Sequence, residues 1–181
     1  HDFSSLTGSI SGFDILRGLP ARDGVAVLTH QTGESVSENF MPSSIIEQLR
    51  NASELVIIDL PRFTNQESMI EILQLCDIVY VATPSTVRGS ASTKKAIANI
   101  QKHIKNVELV IRNMPGTNLD ALKIAQSLNV PLAGVITSDP RIIEQIEQGF
   151  GFAGIHLGGF TRNLNALAQR LAQTNEIQHV A

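Results

Sequence analysis

Polar residues that follow apolar segments are the places where this sequence could do chemistry. One such segment, Leu55–Ile58, is followed directly by Asp59. A carboxylate at the end of a strand can hold Mg²⁺, or water bound to Mg²⁺, beside nucleotide phosphates. An aspartate in this position also commonly accepts hydrogen bonds from loop amides. Taken alone, Asp59 fits that structural role better than a metal site.

Asn113 follows a second apolar segment, Val107–Ile111, and precedes Met114, Pro115 and Gly116. Its side-chain amide offers both a donor and an acceptor, which recognition of the edge of adenine requires. The Pro-Gly pair equally predicts a plain turn that Asn113 would begin. The residues alone leave a base-reading role and a turn role open.

Two further strand ends carry hydroxyls and one carboxylate. Thr83, Pro84 and Ser85 predict the start of a helix, because proline ends the strand and hydroxyls can cap. Asp139 followed by Pro140 is typical of an N-cap and the first helical position. A base could still rest against the backbone of Ser138, Asp139 and Pro140.

Other kinds of site are not predicted. The sequence contains no GxxxxGK[ST] phosphate loop and no GxSxG elbow. Its five histidines show no paired spacing with each other or with Cys76, so we expect no metal cluster. The glycines of 149–154 match a dinucleotide fingerprint, but they follow a helical segment and precede none. That context excludes the fingerprint.

Composition narrows the class of protein. The chain has 14 basic and 17 acidic residues, a formal charge of -3 and no dense cluster of Lys or Arg. A dedicated nucleic-acid binder is therefore not expected. The single cysteine excludes an internal disulfide, and no targeting signal or long apolar run is present. These features predict a cytoplasmic protein and give no support for membrane association.

The apolar pattern alternates between strand-length and helix-length segments, which predicts a doubly wound α/β fold with a mainly parallel sheet. We expect one domain over residues 1–181, with residues 1–20 a weakly structured lead-in that has a helical signal at Gly12–Arg17. The predicted strands are Val25–Leu28, Leu55–Ile58, Ile78–Ala82, Val107–Ile111 and Leu132–Ile136. The predicted helices are Ser43–Arg50, Gln66–Leu75, Ser90–Ile104, Asn118–Leu128, Ile142–Gln148 and Asn163–Gln173.

The order of these strand ends resembles that of the ParA/MinD/CpaE-like deviant Walker ATPases, above all the actinobacterial septum-site-determining (CpaE-like) proteins. The matching elements are Asp59-Leu60-Pro61, Cys76-Asp77 through Thr83-Pro84, Asn113, and Gly134-Val135-Ile136 leading to Asp139. The resemblance covers residues from about 18 to 173. It implies a P-loop NTPase-like fold of the MinD/ParA type that here lacks its N-terminal phosphate-loop strand.

The resemblance also implies site residues, ligands and partners. Asp59 would be the Walker B carboxylate that holds Mg²⁺ through water, and Asn113 would read adenine. Ser138, Asp139 and Pro140 would line the base pocket. ATP or ADP with Mg²⁺ would bind the longer protein, and this chain alone would not hydrolyse ATP.

The implied protein is a homodimer that positions septum, pilus or secretion machinery, with recruitment to a pole or septum. An active ATPase with an upstream phosphate loop is one alternative. A receiver-like or flavodoxin-like interaction module, with its own five-stranded sheet, is the other.

Overall fold

The computed structural model describes residues 11–29, 43–60, 67–117, 119–149 and 158–179, with the side chains of 143, 145 and 174–179 left out. The chain divides into two compact units between Cys76 and Asp77.

The first unit is built mainly from three helices: α1 (Gly12–Gly18), α2 (Ser43–Ala52) and α3 (Glu67–Leu75). Ser11 caps α1 by accepting a hydrogen bond from the Asp14 amide, and α1 confirms the helical signal predicted there. α2 packs between α1 and α3. Their buried side chains form an aliphatic core of Ile15, Ile46, Leu49, Met69, Ile72 and Leu73.

The strand predicted at Val25–Leu28 is wrong as a member of a parallel sheet. Strands β1 (Ala21–Arg22) and β2 (Val25–Ala26) instead form a short antiparallel hairpin. Asp23 and Gly24 connect them with φ of 52° and 81°. Two consecutive positive φ values give the turn the twist that a tight hairpin needs, and Asp-Gly adopts them readily. The run is too short and too exposed to form a core strand.

The strand predicted at Leu55–Ile58 is also not formed within the described residues. Residues 55–60 pair with no described strand, and Ile57 is 74% exposed. An apolar segment forms a strand only where a neighbour accepts its backbone hydrogen bonds. No described segment of the first unit offers that partner.

The second unit confirms the other three predicted strands, which are β3 (Val79–Pro84), β4 (Val107–Asn113) and β5 (Leu132–Thr137). They pair in parallel in the order β3-β4-β5. Helices α4 (Val87–Ile100), α5 (Ala121–Leu128), α6 (Pro140–Glu147) and α7 (Gly158–His179) follow the predicted segments with shifted ends. The unit is therefore an α/β fold with a parallel sheet.

Helices cover both faces of this sheet. Thr93 of α4 donates a hydrogen bond to Thr83 of β3 at 2.8 Å, and both hydroxyls are buried. Arg170 of α7 binds Glu108 of β4. Side chains alternate between faces along a strand. The side chains of Thr83 and its register partner Ile111 are therefore on one face of the sheet, and that of Glu108 is on the other. α4 therefore packs on one face of the sheet and α7 on the other.

Candidate functional site

The carboxyl edge of the β3-β4-β5 sheet is where a ligand of an open parallel sheet is expected to bind. Four of the five predicted site residues lie at this edge, at the end of β4, in the loop after β5 and at the start of α6. The register pairs Asn113 directly with Thr137. The structure therefore brings Asn113 beside the segment that leads to Ser138, Asp139 and Pro140.

Ser85, the first residue after β3, organises this edge. Its side chain is 1% exposed, and its hydroxyl accepts a hydrogen bond from the Met114 amide at 2.8 Å. The same hydroxyl lies 2.7 Å from Thr117 Oγ1 and 3.2 Å from Asn113 Oδ1. The Ser85 amide donates to the Arg112 carbonyl at 3.0 Å. One buried serine thus ties the end of β3 to the end of β4 and the loop after it.

The Pro115-Gly116 turn begins at Met114 and not at Asn113. The Thr117 amide donates to the Met114 carbonyl at 3.3 Å, and Gly116 has φ of +77°. Proline followed by a residue with positive φ is the arrangement of a type II turn. Asn113 is consequently the last residue of β4, and the turn does not require its side chain.

Asn113 is exposed at this edge and holds a defined place there. Its Oδ1 accepts from Ser85, whereas its Nδ2 group donates no hydrogen bond within the described part of the chain. An amide fixed at one end and open at the other can bind a polar ligand at little conformational cost. This geometry permits base recognition and does not by itself identify a base.

Asp139 has the structural role that its sequence context predicts. It caps α6 by accepting from the Arg141 amide at 3.0 Å, and Pro140 follows at the start of the helix. The Arg141 guanidinium donates two more hydrogen bonds to the same carboxylate, at 2.9 and 2.6 Å. These bonds hold the pKa of Asp139 below its ordinary value. Its oxygens are therefore engaged, and any ligand here would contact the backbone of the loop.

Asn163 of α7 is a residue of this edge that sequence reasoning missed. Its Oδ1 accepts hydrogen bonds from the Thr137 amide at 3.1 Å and from the Thr137 hydroxyl at 2.7 Å. α7 contains many other polar residues, so no signal in the sequence distinguished Asn163 from them. Asn163 fixes the end of β5 where the loop to Asp139 begins.

Gly134 lets α7 lie close to β5. A Cβ atom at this position would come within 2.9 Å of Leu167 Cδ2. The Gly-Val-Ile segment of the sequence therefore has a packing reason for its glycine, independent of any ligand. Gly89 has a similar role at the start of α4, where a Cβ would meet Pro84 and Thr86.

Asp59, the predicted Walker B-like residue, belongs to the first unit. It lies exposed in the extended segment 55–60, and it has no hydrogen-bond partner among the described residues. Within the described ranges, no three His, Cys, Asp or Glu side chains come together as a metal-binding group. Among the described residues, Asp59 therefore has no neighbours that would form a metal site with it.

Comparisons with known proteins give a distant relationship. The chain is 25% identical over 148 residues to two proteins of Mycobacterium tuberculosis, "Uncharacterized protein MT3760" from strain CDC 1551 / Oshkosh and "Uncharacterized protein Rv3660c" from strain ATCC 25618 / H37Rv. The match covers 82% of this chain and 42% of each relative, so it spans about two-fifths of their length. No family model and no solved structure matches. No helix among the described residues is long and apolar enough to cross a membrane.

Proposed function

We propose that this chain is part of a nucleotide-linked regulator of the ParA/MinD/CpaE type that positions septum, pilus or secretion machinery. In this proposal the fold is the MinD/ParA form of the P-loop NTPase fold, and the protein acts as a homodimer. The base of ATP or ADP binds at the carboxyl edge of β4 and β5. Asn113 contacts the base, and the backbone of Ser138, Asp139 and Pro140 forms one wall of the pocket.

The observation that supports this proposal most is the pairing of Asn113 with Thr137 in the parallel register. Through this pairing, the side-chain amide of Asn113, which is bonded to Ser85, lies beside the loop that contains Asp139. The Asp139 carboxylate is already bonded to Arg141. A planar base needs one edge contact and a wall of backbone, and this arrangement can offer both. The carboxyl edge of a parallel sheet is also the usual place for a nucleotide.

The residues present fit the base better than the phosphates. Phosphoryl transfer needs loop amides and a lysine around the phosphates, and these 181 residues contain no such loop. Asp59 is proposed to act on Mg²⁺ only in the longer protein. Hydrolysis is therefore not assigned to this chain, and positioning of other proteins is the proposed activity.

Binding of ribose-labelled fluorescent ATP to the full-length protein tests the site. We expect Asn113→Ala to weaken binding about tenfold, because a hydrogen bond to the base is lost. Asn99→Ala changes the same residue type on α4 and should bind like the unchanged protein. If the unchanged protein and both variants bound ATP equally, Asn113 would not contact the base. If the unchanged protein bound no ATP, the proposal would be contradicted.

Localisation tests the biological role. A fluorescent fusion of the full-length protein should concentrate at a pole or septum, and overproduction should change cell length. A receiver-like or flavodoxin-like module would give neither result and would bind no ATP. Diffuse fluorescence with normal cell length would therefore favour that alternative.

A further inference from the structure

Positive charge is concentrated in one part of an otherwise acidic chain. Residues 78–138 contain seven Lys and Arg and only two Asp and Glu, whereas the other residues contain seven and fifteen. No acidic residue at all occurs from 78 to 107. Most of these cations are on α4 and the segments that adjoin it. The excess of positive charge in the sequence therefore corresponds to one region of the folded surface.

The cations of α4 and of the turn after it form one exposed surface, which we call the α4 basic face and define as Arg88, Lys94, Lys95 and Lys102. Lys102 lies in the turn that continues from the end of α4. Arg88, Lys95 and Lys102 are seven residues apart, so they align in a row along the helix, at intervals of about 10 Å. Lys105 and Lys123 are exposed on neighbouring segments.

None of the four cations of this face forms an ion pair with a described acidic side chain. α4 itself has no acidic residue, so no stabilising pair forms along the helix. Arg88 lies in the first helical turn, where the helix dipole disfavours a cation. The Asp120 carboxylate caps α5, and Glu108 is bonded to Arg170 on the opposite sheet face. The described residues thus give no structural reason for the charge.

We propose that the α4 basic face docks an acidic segment of a partner protein, a role that goes beyond the nucleotide site. A peptide in the polyproline II conformation has three residues per turn and rises about 3.1 Å per residue, so acidic residues at every third position share one side and recur at about 9 Å. That spacing matches the row of Arg88, Lys95 and Lys102. Each ion pair at such a surface contributes little, and several together give specific but reversible binding.

Other polyanions fit this face less well. It carries no aromatic side chain on which bases could stack. The small residues between the cations, such as Ala91 and Ala98, offer too little apolar surface to insert into a membrane.

Fluorescence anisotropy with a labelled peptide of Glu-Ser-Ser repeats tests the proposal at low salt. We expect Lys95→Glu/Lys102→Glu to weaken peptide binding at least about tenfold, since two attractions become repulsions. Arg22→Glu/Arg162→Glu is the matched control, because it changes the net charge equally at two exposed arginines elsewhere. Its affinity should stay within about twofold of the unchanged protein.

A DNA duplex and vesicles of anionic phospholipid serve as competing probes, and circular dichroism verifies that each variant is folded. The proposal is supported if the peptide binds more tightly than both probes and only the α4 variant loses it. It is overturned by equal weakening in both variants, by tighter binding of DNA or vesicles, or by no binding of the peptide.

Discussion

Arg170 of α7 and Glu108 of β4 form a bidentate ion pair, in which Nε and Nη2 of the arginine lie 2.8 and 2.7 Å from the two carboxylate oxygens. The Glu108 side chain is only 13% exposed. Paired geometry of this kind fixes both the distance and the orientation of the two groups. Together with Asn163 and Leu167, the pair holds α7 on the sheet.

We therefore predict that Arg170→Ala destabilises the protein by about 1–3 kcal/mol, because a mostly buried carboxylate loses its partner. Urea unfolding followed by circular dichroism measures this change. Arg162→Ala on the same helix is the control, since that arginine is exposed and donates only to the Gly158 carbonyl. Equal effects of the two substitutions would contradict a special role for the ion pair.

Tyr80 is the register neighbour of Glu108, and its buried hydroxyl lies near Arg170 but makes no hydrogen bond of good geometry with any described residue. Burial, with the Glu108 carboxylate adding to it, raises the pKa of Tyr80, and Arg170 offsets part of the shift. Tyr80→Phe removes an unsatisfied group. We expect the free energy of unfolding to stay equal or to increase by up to about 1 kcal/mol.

The raised pKa of Tyr80 also predicts a pH dependence. Below pH 10.0, the ordinary tyrosine value, the hydroxyl is protonated in both states and contributes no slope. Above it the unfolded chain ionises first, so stability falls as the pH rises toward the pKa of the folded state. Tyr80 is the only tyrosine and the chain has no tryptophan, so tyrosinate absorbance reports this titration directly. A midpoint at the ordinary value would contradict the burial argument.

Ser85→Ala should loosen the carboxyl edge. The Met114 amide would lose its acceptor, and Asn113 and Thr117 would lose their shared contact. We expect a loss of about 1–3 kcal/mol of stability. Weaker ATP binding by the full-length protein should accompany it.

Ser127→Ala is the control, because that hydroxyl bonds only to the Ile124 carbonyl of its own helix. Unchanged stability in the Ser85 variant would contradict its organising role.

Gly12→Ala tests the packing of the first unit. A Cβ atom at Gly12 would overlap the Gln48 carbonyl and approach Ala52 on α2, so the helices would have to separate. We expect destabilisation of about 1–3 kcal/mol from this overpacking. Gly18→Ala, at the other end of α1, meets nothing within 4 Å and should leave stability nearly unchanged. Thermal melts of the two variants compare them, and similar melting temperatures would contradict the packing.

Local signals predicted the second unit well. β3, β4 and β5 are apolar segments between helices, and Asp139 caps α6 as its sequence context predicted. Thr86 and Asp120 cap α4 and α5 in the same way, although neither was named as a cap beforehand. The same local reasoning could have found the hairpin. Asp23-Gly24 is among the strongest short signals for a two-residue turn, and the β-branched content of the Val25 segment outweighed it.

Contacts between distant residues could not be predicted in this way. The Leu55–Ile58 segment has a strand-like composition, but pairing depends on a neighbour that periodicity does not reveal. Asn163 and Arg170 bind residues 26 and 62 positions earlier in the chain. Only the folded arrangement shows that these two polar residues attach α7, and only the register places Asn113 beside Thr137.

The separation of Glu108 from Arg170 has a consequence for the chain during its synthesis. A ribosome adds about 5–20 residues per second, so Arg170 is synthesised several seconds after Glu108. During that time the Glu108 carboxylate has no ion-pair partner from α7. Until α7 emerges, the sheet face around Tyr80 and Gly134 has no cover. Nascent chains that stop before Arg170 should thus be preferred substrates for chaperones and proteases. Attachment of α7 thereby completes the cover of this sheet face and ends that period of exposure.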